Sequence, residues 1–308
     1  MKIFAPNYYK KFSCIADKCK HSCCIGWEID IDDDTLKQYN SIETEFGKKI
    51  KENIDIIDDC ACFRLTENER CPFLNQDNLC EIILNVGENS LCQICSDHPR
   101  FKNFFGDKIE VGLGLTCEEA ARIIVYESET FEIIEIDETD ENPTIYEDEI
   151  EFFGLRNEIF HIINNEKNFQ SIVNELLNKF SIEFPKKSVY EWVDIYTQLE
   201  MLDDDWMTLL SKLKSSEITQ ITLSNSLNNE LKNLLIYFIY RHLSESIFDG
   251  KFNGRLLFAI LSCYMISTLT ITNHKIEDIA RMYSSEIEYS NENLSSLIDL
   301  LQIENLEE

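Results

Sequence analysis

Of twelve cysteines, eleven lie between Cys14 and Cys117, and they are the residues whose type and spacing carry chemistry. The stretch CIADKCKHSCCIGW, residues 14–27, places four of them within eleven positions and ends on an adjacent pair and a tryptophan. Cys60 with Cys62, Cys71 with Cys80, Cys92 with Cys95, and Cys117 follow, and Cys263 stands alone. Thiols at this density serve as disulfide partners, soft metal ligands or redox groups. At 308 residues the chain buries a core without covalent staples, and MKIFAPNYYKKFSC carries no apolar stretch or cleavage site of a secretory leader. A cytoplasmic location is therefore expected. Thiols stay reduced there, so metal or redox chemistry takes precedence over disulfides.

Spacing separates the metals poorly. Zinc sites are usually assembled from paired C-x-x-C knuckles, and only Cys92-Gln-Ile-Cys95 has that form. The C-x3-C-x2-C spacing of radical S-adenosylmethionine enzymes is absent because Cys24 follows Cys23 directly, and the ferredoxin runs do not fit either. Adjacent cysteines diverge and seldom hold one ion together. A cluster of several irons, fed by thiolates from several loops, tolerates irregular spacing better than a single zinc. Zinc remains the alternative metal.

The segments YYKKFSCIADKCKHSCCIGWEIDID, CPFLNQDNLCEI, LCQICSDHPR and LGLTCEEAARI together resemble the flagellin lysine-N-methylase family, within a wider group of zinc- or iron-chelating cysteine-cluster proteins. The resemblance is specific over residues 8–125 and looser beyond, where YFIYRHL is the most similar stretch. It implies an S-adenosylmethionine-dependent methyltransferase acting on lysine side chains of flagellin and carrying an iron–sulfur cluster of the 4Fe–4S type. By the same resemblance the recurring cysteines fall on Cys14, Cys19, Cys23, Cys24, Cys71, Cys80, Cys95 and Cys117, more than one such cluster needs. Cys92 stands where the family often has serine, and Cys60 and Cys62 match no motif, so these three are expected to be spare thiols. Trp27 is expected as apolar cover for the bound group and Arg100 as a charge that offsets it, with His98 a structural imidazole. No catalytic base stands out. GLG at 112–114 lacks the remaining spacing of a dinucleotide fingerprint, so the usual doubly wound methyltransferase is not expected. Without the resemblance, a non-catalytic zinc- or iron-binding module and an iron–sulfur electron carrier fit the same cysteines.

The elements that position these thiols divide the chain. Residues 1–127 form a cysteine-rich metal-binding domain with little β. Residues 128–145 read as an acidic strand and linker, since positions 129–150 hold ten acidic side chains and no basic one. Residues 146–308 read as an α-helical bundle, so the fold class is mainly α. WEIDID suggests a short strand, DDTLKQYNSIETEFGKKIKENI one helix capped from Asp32–Asp34, and CEEAARIIVYES a helix with a Thr116/Glu119 capping box and Cys117 in its first turn. Beyond residue 146, apolar positions recur at helical spacing in five long stretches, with FDGKFNG a break before LLFAILSCYMISTLTI, where Cys263 is a small buried hydrophobe. The apolar run falls short of a membrane span. A net charge of −29, with no basic stripe, argues against nucleic acid as a partner.

Overall fold

Strand β1 (Lys2–Pro6) opens the chain. There follow β2 (Asp30–Ile31), helices α1 (Asp33–Ser41) and α2 (Glu45–Glu52), strands β3 (Ile54–Ile57) and β4 (Cys60–Phe63), and the short helices α3 (Glu81–Asn85) and α4 (Gln93–Asp97). Then come β5 (Arg100–Phe104), β6 (Lys108–Leu113), α5 (Glu118–Tyr126) and β7 (Ile133–Glu138). The remainder is helical: α6 (Glu147–Asn165), α7 (Phe169–Phe180), α8 (Val189–Tyr196), α9 (Asp204–Lys214), α10 (Asn228–His242), α11 (Ser246–Asp249), α12 (Phe252–Leu269), α13 (Ile276–Ile287) and α14 (Asn291–Glu304). This computed structural model describes residues 1–127, 130–166, 168–221, 223 and 225–304.

The chain divides into two units, and not where the cysteine density suggests. Ser13–Phe101 is one; Met1–Phe12 joins Lys102–Glu308 in the other. The expected boundary after residue 127 meets Ser128 and Glu129, outside the described residues. The stretch 102–127 belongs with the helices, and the acidic strand is no free linker. As β7 it pairs antiparallel with β1, which pairs in parallel with β6, in a sheet ordered β5-β6-β1-β7. β1 is thus an inner strand. A parallel pair needs a crossover, and here the connection between β1 and β6 contains the whole cysteine-rich unit.

In Ser13–Phe101, β2, β4 and β3 form a three-stranded antiparallel sheet whose inner face, with Ala61 and Phe63, packs on Tyr39, Ile50 and Phe73. The single helix expected over 33–54 is two. Asp32 accepts from Thr35 N and starts α1, and Thr44 accepts from Gly47 N and starts α2, so the second cap interrupts the periodicity.

The other unit is mostly helical, as its periodicity implies. YEWVDIYTQLEMLDDDWMTLLSKL makes α8 and α9 and not one helix, because Asp203 caps a new start by accepting from Asp205 N, while Ser188 and Glu191 form a capping box on α8. α10 stops at His242 in a short 3-10 turn before α11, and Gly250, at φ 71°, supplies the left-handed residue that turns the chain into α12. Phe252–Thr272 is long and apolar enough to cross a membrane by composition, but 83% of an 18-residue window within it is buried, and it packs against α10, α13 and α14. It is a core helix, and Cys263 is fully buried in it.

Candidate metal centre

Backbone pairing in Ser13–Phe101 gathers five thiols. Residues 24–26 run antiparallel to 69–71: Cys71 N donates to Cys24 O at 2.8 Å and Gly26 N to Glu69 O at 3.0 Å, with an Ile25–Arg70 bridge between them. Gly26 sits at φ 90°, a conformation that glycine alone adopts freely. CPFLNQDNLC then doubles back. Asn75 Oδ1 accepts from Asp77 N and Leu79 N, both at 2.9 Å, and the Leu74–Cys80 bridge returns Cys80 towards Cys71. Helix α1 sets the third arm. Asp32 Oδ2 accepts from Gln93 N at 2.8 Å and Tyr39 Oη donates to Ser90 O at 2.7 Å, so the residue that caps α1 also pins the start of α4, where Cys92 is the N-cap. Cys71 and Cys92 are buried in the core of the unit, and Cys24, Cys80 and Cys95 pack against it. The Cys92 and Cys95 sulfurs are 3.3 Å apart.

The five thiols stand in one another's field. The Cys24 thiol is pulled down to about 7, first by its hydrogen bond with Cys23 and, against burial, by Ser22 and Arg70. Burial pushes Cys71 up to about 12, with Cys24, Cys80 and Cys92 adding to it, and burial also raises Cys80. Cys92 and Cys95 titrate as a pair: their mutual hydrogen bond eases loss of the first proton, and that bond, burial and the charges of Cys24 and Cys71 resist loss of the second. Such a set resists joint ionisation until a cation joins it. Soft donors from three chain segments, partly dry and mutually repelling as anions, suit a thiolate-held metal or cluster. Among the described residues no three His, Cys, Asp or Glu side chains already stand in metal-holding geometry, so these are gathered donors and not a finished coordination shell.

The other expected ligands lie outside the core of the unit, with Cys23 in hydrogen-bond contact with Cys24. Cys14 and Cys23 are exposed and Cys19 is half-buried, on the segment leading into Cys24. Cys14 Sγ accepts from Ala16 N at 3.4 Å and Cys19 Sγ donates to His21 O at 3.2 Å. Cys117 belongs to the other unit. It is the N-cap of α5 and not a first-turn residue, and no side chain caps that helix, so the Thr116/Glu119 capping box does not form. Cys60 is exposed. Cys62 is buried and pushed up to about 11, first by burial and then by Glu28, Asp55 and Asp30. Cys92, set aside as a spare thiol, lies among the five. Its signal in the sequence was the C-x-x-C spacing with Cys95.

Trp27, half-buried, donates from Nε1 to Cys23 O at 2.6 Å, and its ring lies 6.3 Å from that of His98. Arg100 donates to Ser96 O at 3.3 Å. Burial, helped by the Arg100 charge, pushes His98 down to about 4, so its imidazole is neutral. Trp27, His98 and Arg100 therefore cluster around the end of α4.

The helical unit holds polar groups that the sequence did not single out. On α10, Asn233 donates to Val125 O at 2.8 Å, Tyr240 donates to Val111 O at 3.0 Å, and Tyr237 Oη accepts from Leu115 N at 3.3 Å. Tyr237 also donates to Glu288 at 3.0 Å and accepts from Arg241 at 2.7 Å, while His242 Nε2 meets Glu288 Oε1 at 2.5 Å. Burial pushes the Glu288 carboxyl up, but the Arg241 charge and the His242 hydrogen bond hold it below its usual value. Burial also keeps the His242 ring neutral. A second buried pair, Arg156 with Glu110, is bidentate at 2.7 and 2.5 Å.

The family model for the FliB lysine N-methylase C-terminal domain matches residues 113–308, the half where the resemblance was expected to be looser. Lysine-N-methylases of Salmonella typhimurium and Salmonella choleraesuis are each 25% identical to the chain over 143 residues, covering 42% of it and 34% of their own length. The flagellar biosynthetic protein FliU of Salmonella muenchen is 26% identical over 133 residues, 39% of this chain and 75% of that one. The match thus spans only about a third of the curated lysine-N-methylases. No solved structure matches the chain.

Proposed function

The chain belongs to the FliB lysine N-methylase family, and on that premise we propose that it transfers methyl groups from S-adenosylmethionine to lysine side chains of flagellin, with an iron–sulfur cluster held in Ser13–Phe101. The names of the relatives, lysine-N-methylase and flagellar biosynthetic protein, support the reaction and the substrate. The observation that carries the cofactor is the convergence of Cys24, Cys71, Cys80, Cys92 and Cys95 on one core. Four of these five would hold the cluster, leaving Cys14, Cys19 and Cys23 on the adjoining segment and Cys117 at the head of α5. When bound, a 4Fe–4S group supplies a redox-active centre whose potential depends on burial and on hydrogen bonds to sulfur. Trp27 and Arg100 limit water and offset anionic charge near α4.

Methylation itself needs a neutral amine in line with the sulfonium methyl. The nitrogen lone pair attacks the methyl carbon, the carbon–sulfur bond breaks with its electron pair left on sulfur, and the nitrogen sheds a proton. A net charge of −29 favours approach of a lysine-bearing surface. A second reading, a zinc-holding module, is favoured by the C-x-x-C of Cys92 and Cys95. Anaerobic purification followed by iron, sulfide and zinc analysis separates the two. Brown protein with iron and sulfide supports the cluster, and colourless protein with stoichiometric zinc overturns it. Transfer of labelled methyl from S-adenosylmethionine to flagellin tests the activity, and its absence with intact cofactor overturns the reaction.

A further inference from the structure

We infer that Cys92 and Cys95 form a reversible intramolecular disulfide in the metal-free protein, by exchange with a low-molecular-weight disulfide such as oxidised glutathione. This goes beyond the function proposed above and does not depend on which metal the thiols hold. The pair is assembled before any bond forms. Cys92 has an extended backbone at the head of α4 (φ −64°, ψ 158°), and the N–H groups of Cys95 and Ser96 both donate to its carbonyl at 3.0 Å. That tight turn sets the two sulfurs 3.3 Å apart. Asp32, through Gln93 N, and Tyr39, through Ser90 O, fasten the turn to α1, so the sulfurs stay close without a metal. The ring to be closed is short, and little chain entropy opposes it.

Access orders the steps. Cys92 is fully buried and Cys95 half-buried, so a soluble reagent meets Cys95 first. The pair gives up one proton to solvent, and Cys95, the accessible sulfur that accepts from the Cys92 thiol, attacks one sulfur of the reagent. The reagent's S–S bond breaks, one thiolate leaves with the electron pair, and a mixed disulfide remains on Cys95. Cys92, its proton likewise released, then attacks the Cys95 sulfur and expels the second thiolate. The protein is oxidised by two electrons, the reagent is reduced by two, and the two protons end on the two leaving thiols. Of five gathered sulfurs, the disulfide withdraws two and leaves Cys24, Cys71 and Cys80. A group that takes four thiolates from these five therefore cannot load until the bond is reduced.

The test equilibrates the full-length metal-free chain in glutathione redox buffers, quenches with an alkylating agent and reads each cysteine by mass spectrometry. A Cys92–Cys95 peptide lighter by two hydrogens and carrying no alkyl group is expected. The ratio of this form to the dithiol should rise in proportion to oxidised glutathione divided by the square of reduced glutathione, as an intramolecular bond requires. Cys92→Ser should trap glutathione on Cys95, Cys95→Ser should leave Cys92 unmodified, and Cys60→Ser should leave the pair unchanged. The inference is overturned if both thiols still alkylate in fully oxidised buffer, if oxidation follows oxidised glutathione divided by the first power of reduced glutathione, as a mixed disulfide does, or if either thiol pairs with Cys24, Cys71 or Cys80. Iron and sulfide analysis of anaerobic protein plays no part in these outcomes, so failure here is distinct from failure of the cluster.

Discussion

Serine in place of Cys24, Cys71, Cys80 or Cys95 removes a soft donor from the gathered set and is expected to lower the iron held per chain about twofold or more. Cys60→Ser and Cys263→Ser should leave it unchanged, the first thiol being exposed and the second buried in α12. Iron per chain after anaerobic purification measures this. In the helical unit, Glu288 carries the corresponding weight. Its side chain is 0% exposed and shared among Tyr237, Arg241 and His242, so Glu288→Gln strands a buried guanidinium and should cost about 3–5 kcal/mol, read by denaturant unfolding. The folded-state values of Glu288 and His242 both lie below their ordinary ones, so the unfolded chain binds the extra protons. Their stabilisation is full above the ordinary imidazole value of about 6.5 and is lost as pH falls through it and then through the carboxylate range. The melting temperature should accordingly drop between about pH 7 and about pH 4, and His242→Gln should remove the upper part of that slope.

Among the elements, β1 connects distant parts of the sequence. Lying between β6 and β7, it satisfies backbone groups on both neighbours, and Met1 N reaches Thr139 O at 2.9 Å. Deletion of residues 1–6 should leave β6 and β7 with exposed inner edges. The expected outcome is loss of the cooperative melt of the helical unit, followed by circular dichroism. The break between α1 and α2 is held by a smaller device. Thr44→Ala removes the side chain that accepts from Gly47 N and should cost about 1 kcal/mol in chemical unfolding. α10 acts at the same scale. Asn233, Tyr237 and Tyr240, at spacings of four and three, put three hydrogen bonds onto the backbone of β6, α5 and the turn between them. Tyr237 and Tyr240, with Arg241 and His242, are the structural content of YFIYRHL.

At the scale of the molecule, two units with separate cores should respond separately to metal. In Ser13–Phe101 the thiols of Cys71 and Cys92 are part of the apolar core, so the proposed metal ligands are also residues that hold the fold. The helical unit has its own buried core through α10 and α12. Chelation under anaerobic conditions is expected to lower one calorimetric transition and leave the other in place. A single transition that shifts as a whole would show that the units unfold as one.

The concentration of thiols was legible in the chain because it is local: residue type, density and the C-x-x-C of Cys92 and Cys95 are written in consecutive positions. So was the mostly helical second half, since amphipathic spacing needs no partner to be read. Helix interruptions were not, because periodicity runs through Ile42–Thr44 and residues 197–203, and only the hydrogen bonds of Thr44 and Asp203 stop it. Which cysteines meet was decided by tertiary structure alone. Cys24 is brought to Cys71 by backbone pairing across 47 positions, and Asp32 holds Gln93 across 61. Such contacts form only when the buried surface outweighs the entropy of closing long loops, and no window of sequence contains both partners. The same reason sends β1 to the helical unit, faces Cys14 and Cys23 to solvent, and assembles Tyr237, Arg241 and His242 of α10 with Glu288, the residue that ends α13, across α11 and α12.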